Sequence, residues 1–200
     1  MFNAALTLAR KIGPRPEAVS TAWMAIVCCA WLFLAAPAGA QTIDPPDVER
    51  QVKAAYLYKF GSYVEWPERA FSTTDNTIKV GVIGASALAD ELNQMVAGRT
   101  INGRQISVRK LRAGESLSAF NILFIGNSSN DRLAEILATT RGQPILTITE
   151  SEDGLAQGSI INFVLVDGKV RFEVAPKTAH QGSLNISARL LAVAFKVAGT

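Results

Sequence analysis

The sequence predicts an α/β fold: a single three-layer domain in which a largely parallel sheet carries helices on both faces and closes with a C-terminal β-hairpin and a terminal helix. Three observations lead there. Two short runs rich in branched apolar residues, Ile78 to Ile83 and Asn121 to Ile125, are each followed by a glycine turn and an amphipathic stretch. The joints Ile83-Gly84-x-Ser86 and Ile125-Gly126-x-Ser128 stand 42 residues apart, as two βα units in quasi-repeat would place them. Asp167-Gly168, a pair suited to a tight two-residue turn, separates two apolar runs near the C-terminus. Strands alternating with helices imply a parallel sheet covered on both faces, and the hairpin adds an antiparallel edge.

Residues 1–40 read as a cleavable export signal. Arg10, Lys11 and Arg15 precede a run from Ala22 to Ala36 with almost no polar side chain, and Ala38-Gly39-Ala40 stands before Gln41. That apolar run is shorter than the ~20 residues a helix needs to cross a bilayer. Cleavage after Ala40 removes Cys28 and Cys29, so the mature chain has no cysteine and forms no disulfide. It also removes Arg10, Lys11, Arg15 and Glu17, which brings the balance from 20 basic against 17 acidic residues to 17 against 16. A near-neutral chain with scattered charge lacks the clustered basic face that nucleic acid requires. What remains suits one domain with its own core.

The elements follow in order. Residues 41–47 carry Pro45-Pro46 and read as a flexible lead-in, with Asp47 as N-cap of a first helix over residues 48–64. Val48, Val52, Ala55, Tyr56, Phe60 and Tyr63 form its apolar face, and Trp66-Pro67 ends it. After the strand at Ile78 to Ile83, a helix capped by Ser86 buries Leu88, Leu92 and Met95 or Val96; after the strand at Asn121 to Ile125, one capped by Ser128 buries Leu133, Ile136 and Leu137. Gln105 to Lys110 and Pro144 to Thr149 are further strands, and Ile160 to Val166 with Lys169 to Val174 form the hairpin. The last helix spans residues 184–198 and is apolar on two sides. Leu184, Ala188, Leu191, Phe195 and Ala198 make one stripe; Ile186, Leu190, Val193 and Val197 make the other, with Asn185, Arg189 and Lys196 as a narrow polar wedge. Such a helix is buried centrally or covered by a second molecule, and a terminal position in a small domain favours the second.

No catalytic constellation stands out. A serine hydrolase needs a base beside its nucleophile, and His180 is the sole histidine, with no G-x-S-x-G elbow. No metal site is expected from one histidine without cysteine, and Glu150-Ser151-Glu152-Asp153-Gly154 lacks calcium-loop spacing. Glu65 and Glu68 are weak evidence for paired-carboxylate chemistry. The turns at Gly84, Ser86, Gly126 and Ser128 offer amides to an anion, although such turns use Gly and Ser more often for geometry alone. Lys59, one turn from Tyr56 and Tyr63, either snorkels along the rings or contacts a ligand. Trp66 suits a core plug or a contact anchor equally, and Tyr63, Trp66 and Arg189 join the second terminal stripe as candidate interface residues.

Val52-Lys-Ala-Ala-Tyr-Leu-Tyr-Lys-Phe60 and Tyr63-Val-Glu-Trp-Pro67 resemble the N-terminal signature of the YfiR family of periplasmic proteins. Ile161-Asn-Phe163, Val170-Arg-Phe-Glu-Val174 and Leu184-Asn-Ile-Ser-Ala-Arg-Leu-Leu191 resemble its closing hairpin and helix, while residues 86–142 match in pattern more than in letters. The resemblance implies a homodimeric periplasmic repressor that binds the sensor part of an inner-membrane diguanylate cyclase, lowers cyclic di-GMP and is itself sequestered by an outer-membrane lipoprotein. No cofactor is implied. Better-known members carry disulfides that tie activity to redox state; a cysteine-free mature chain departs from that pattern. The alternative from the residues alone is a periplasmic small-molecule binding module.

Overall fold

The first helix, α1, runs from Pro45 to Tyr63 in a computed structural model that describes residues 45–71, 75–112 and 114–199. The expected signal and residues 41–44 of the lead-in lie outside the described residues. Residues 45–47 are helical rather than lead-in, so Asp47 is not the cap. It sits in the first turn, where its carboxylate meets the positive end of the helix dipole and pairs with Arg50. The buried stripe is Ala54, Leu57, Phe60 and Gly61, continuing to Val64, with Tyr56 half-buried; Val48 and Ala55 are exposed, so the helix is rotated from the face expected.

A two-residue strand β1 (Val64–Glu65) follows, then β2 (Thr77–Ile83), α2 (Ser86–Val96), β3 (Thr100–Ile101) and β4 (Arg104–Leu111). Next come β5 (Ile122–Ile125), a 3-10 turn over Asn127–Arg132, α3 (Leu133–Thr140) and β6 (Leu146–Thr149). After β7 (Ile161–Val166), β8 (Lys169–Val174) and, near the C-terminus, β10 (Lys196–Val197), the main sheet runs β10-β8-β7-β6-β5-β2-β4-β3. Strands β4, β2, β5, β6 and β7 are parallel, so in chain order the parallel strands lie 2-1-3-4-5. This is a doubly wound order whose direction reverses between β2 and β5.

Alternating residues of β5 build two cores. Ile122 and Phe124 face α1 and α2, while Leu123 and Ile125 face α3. Phe60 centres the first core, its ring 5.0 Å from Phe172 and 5.8 Å from Phe163, with Tyr56 5.3 Å from Phe172. Edge-to-face and offset contacts at these distances add to the burial itself. The hairpin β7 (Ile161–Val166) and β8 (Lys169–Val174) forms as expected, with positive φ at Asp167 and Gly168.

The C-terminal segment departs from the expected single helix. A short α4 (Pro176–Gln181) precedes it and holds His180 in its last turn. Residues 184–198 then divide into β9 (Asn185–Ile186), α5 (Ala188–Val193) and β10 (Lys196–Val197). Pairing elsewhere in the domain outcompetes helical periodicity: Ile186 lies against Val64 in an antiparallel bridge, and Lys196 and Val197 run parallel to Glu173 and Val174. The two opposed apolar stripes therefore do not exist as helix faces.

Candidate interaction surface and a closed switch point

In doubly wound sheets, ligands bind beyond the carboxyl ends of the strands, at the point where strand order reverses. Here that point lies between Gly84 and Gly126, and the chain closes it on itself. The Gly126 N–H donates to the Ile83 carbonyl at 2.8 Å, and the Ser128 hydroxyl donates to the Gly84 carbonyl at 2.6 Å. A Cβ on Gly126 would stand 2.8 Å from the Gly84 oxygen, so the glycines permit the two turns to touch. Neither serine caps its helix. Ala85 holds the N-cap position of α2 without a side-chain bond, and Ser128 lies inside the 3-10 turn.

The Asn127 N–H donates to Glu150 at 3.0 Å, so the anion position after β5 is taken by the chain's own carboxylate. Lys53, from α1, donates to Glu150 at 2.6 Å and also pairs with Glu49. Their side chains are only 12% and 15% exposed for Lys53 and Glu150, against 34% for Glu49. Burial alone would lower the Lys53 pKa, but its hydrogen bonds to Glu150 and Glu49 outweigh that and hold it above 10.5. Cavities of about 330 and 300 Å³ flank this clamp. Glu49 and Lys53 at helical spacing are legible in sequence; Glu150, 97 residues from Lys53, is not.

The clamp gives a testable result. Lys53→Met leaves two carboxylates without their cation and should lower stability by about 2 kcal/mol, below the 3–5 kcal/mol of a fully buried pair because Glu49 is partly solvated. Because the folded pKa is raised, the stabilisation is complete below the unfolded value near 10.5 and is lost as pH rises through the higher folded value. Denaturant midpoints of the native protein should fall in that alkaline window, and those of Lys53→Met should change less there.

The other sequence candidates scatter. Lys59 is exposed on α1 and lies 5.7 Å from the Tyr58 ring rather than over Tyr56 or Tyr63. Trp66 is half-buried against the first core, donates from Nε1 to the Asn121 carbonyl at 3.3 Å and meets Phe71 edge-on. Tyr63, also half-buried, accepts the Ser187 N–H through its carbonyl at 2.9 Å, which ties the end of α1 to the terminal segment. Leu190 is core at 2% exposure, and Ile186 and Val197 are half-buried. Val193 is 68% exposed and Arg189 shares its side of α5 four residues earlier, with Phe195, 55% exposed, two residues beyond. Phe195 is a contact candidate the helical reading had placed on the opposite stripe.

Fold and site together define a doubly wound α/β domain whose ligand crevice is bridged by its own residues and whose C-terminal segment presents apolar side chains to solvent. The chain belongs to the YfiR/HmsC-like family, whose model matches residues 50–195. No curated protein matches. Among solved structures, a conserved domain protein from Vibrio cholerae O1 biovar El Tor is similar at 11% identity with a TM-score of 0.51, over 74% of this chain and 60% of that one. The chain thus spans about 60% of that structure's length, and the likeness shows the fold alone.

Proposed function

We propose that this protein represses an inner-membrane diguanylate cyclase by binding its periplasmic region through Val193, Phe195 and Arg189. The observation that carries the surface is the exposure of two large apolar side chains within three residues of each other, one turn from an arginine. Aromatic and arginine side chains dominate binding energy where they are desolvated by a partner. An outer-membrane lipoprotein that sequesters the repressor belongs to the same reading. The small-molecule alternative draws less support, because the Gly126 and Asn127 amides and the Ser128 hydroxyl already bond within the chain.

Deleting the gene should raise cyclic di-GMP, and the native gene should restore it. Val193→Asp should keep its circular dichroism and melting temperature yet bind the cyclase about 30-fold more weakly, the size of a ~2 kcal/mol hot spot. Cyclic di-GMP that stays flat on deletion counts against repression. A folded Val193→Asp protein that represses fully removes this surface from the contact.

A further inference from the structure

We infer that the groove between the start of α1 and the tip of the β7–β8 hairpin takes an extended segment of a partner protein, an apolar residue flanked by two carboxylates, added to the edge of β8 at Val170. The large apolar side chains exposed among the described residues are Val48, Leu165, Val193 and Phe195. The last two belong to the surface proposed above. The first two, 45% and 59% exposed, line the two walls of this groove. It is a cavity of about 790 Å³, with Pro46, Val48 and Val52 on the α1 side and Leu165 and Val170 on the hairpin side.

Backbone groups make the groove a strand site rather than a general apolar cleft. Val166 and Lys169 close the two-residue turn and bond each other, so alternation turns the N–H and C=O of Val170 outward. Phe172, the next outward residue, already has its carbonyl taken by the Phe195 N–H at 2.8 Å, and β10 pairs only with Glu173 and Val174. No described strand therefore lies beside Val170, and the free slot runs from Gly168 to Arg171, the part of β8 and its turn that lines the groove. An alkyl chain laid there would leave both Val170 groups without partners, whereas a peptide supplies a donor and an acceptor. Antiparallel addition suits a slot with one outward residue, because a single incoming residue exchanges both bonds with it.

Register and charge then define the segment. Val170 pairs with Leu165 on the α1 side of the sheet, so the side chain opposite Val170 enters the groove, and its two neighbours fall beside Lys169 and Arg171. Neither cation has an ion pair among the described residues. The acidic residue lining the groove, Glu49, is held by Lys53. An apolar residue between two acidic ones is the complement of that edge.

The test uses the purified exported protein and capped synthetic peptides centred on Glu-Leu-Glu, Lys-Leu-Lys or Glu-Ser-Glu. In NMR titrations the first should shift the Val170 amide and the Val48 and Leu165 methyl signals saturably, and bind about ten-fold more tightly than either of the others. Methylating its leucine nitrogen removes the donor to the Val170 carbonyl and should weaken binding by a similar factor. Lys169→Glu combined with Arg171→Glu, both at exposed positions, should reverse the preference to Lys-Leu-Lys, and Leu165→Asp should abolish binding with circular dichroism unchanged. No saturable shift at Val170, equal binding of the methylated peptide, or binding blind to the charge reversal overturns the inference. Three other occupants would also overturn it. Decanoate that binds more tightly than the peptide assigns the groove to an alkyl chain, and self-association abolished by Leu165→Asp assigns it to a second copy. Peptide binding that appears only after residues 41–44 are removed assigns it to the protein's own N-terminal segment. None of these readouts involves the cyclase, so failure here is distinct from failure of the contact at Val193.

Discussion

Leu190→Asp should unfold the domain, whereas Val193→Asp, three residues away, should leave it folded. Leu190 is 2% exposed and packs in the first core; Val193 is 68% exposed. A carboxylate at position 190 must be desolvated without a cation or protonated at neutral pH, at a cost of about 4 kcal/mol or more. That is a large part of the 5–15 kcal/mol by which domains are stable. A surface change at Val193 should stay within about 0.5 kcal/mol. Thermal melts of the two variants also test the architecture, because on a continuous helix over residues 184–198 these side chains share a stripe and should respond alike.

Both βα units and the hairpin were legible because each has a local cause. The strands are runs of branched apolar residues, Gly84 takes a positive φ, and Asp167-Gly168 fits its turn. The terminal segment misled because short apolar runs satisfy strand and helix patterns alike. What decides there is non-local: Ile186 meets Val64, and the Phe195 N–H donates to the Phe172 carbonyl at 2.8 Å. Two local signals did mark the breaks. Ser187 caps α5 by accepting the Leu190 N–H, and α4 lies between Pro176 and Gly182, the usual punctuation of a short helix.

The residues that carry the family resemblance are mainly packing residues. Tyr56 and Phe60 from the first motif pack their rings against Phe163 and Phe172 from the closing one, so the two ends of the chain are matched because they form one aromatic core. Such letters report the fold and leave the contact surface to be found from exposure. Arg189 and Val193 are legible as a surface only once the terminal segment is divided into β9, α5 and β10, because helical spacing alone does not say where the helix breaks.

Gly154→Ala should lower stability by about 3 kcal/mol, the largest effect expected of any single methyl group added here. Gly154 is buried within the loop that joins β6 to β7, and an added Cβ would stand 2.2 Å from the Thr149 hydroxyl and 2.5 Å from Asn162 Oδ1. Both partners are fully buried and cannot retreat into solvent. Asn162 Oδ1 accepts from the Thr149 hydroxyl at 2.8 Å and from the Ser151 N–H at 3.1 Å, which also fixes the amide orientation, since only oxygen can receive that N–H. Its Nδ2 has no partner among the described residues, so the network already carries one unsatisfied donor. The methyl group must lift the loop and break these bonds, adding about 1–3 kcal/mol for unpaired buried groups to about 1–3 kcal/mol of overpacking. A fall in melting temperature of about 10 °C is expected for a chain of this size. Gly61→Ala is the control: its Cβ would come 2.5 Å from the tip of the Ile101 side chain, an apolar methyl whose displacement breaks no hydrogen bond. It should cost less than half as much, and equal losses from the two variants would show that the polar network adds nothing to the overlap.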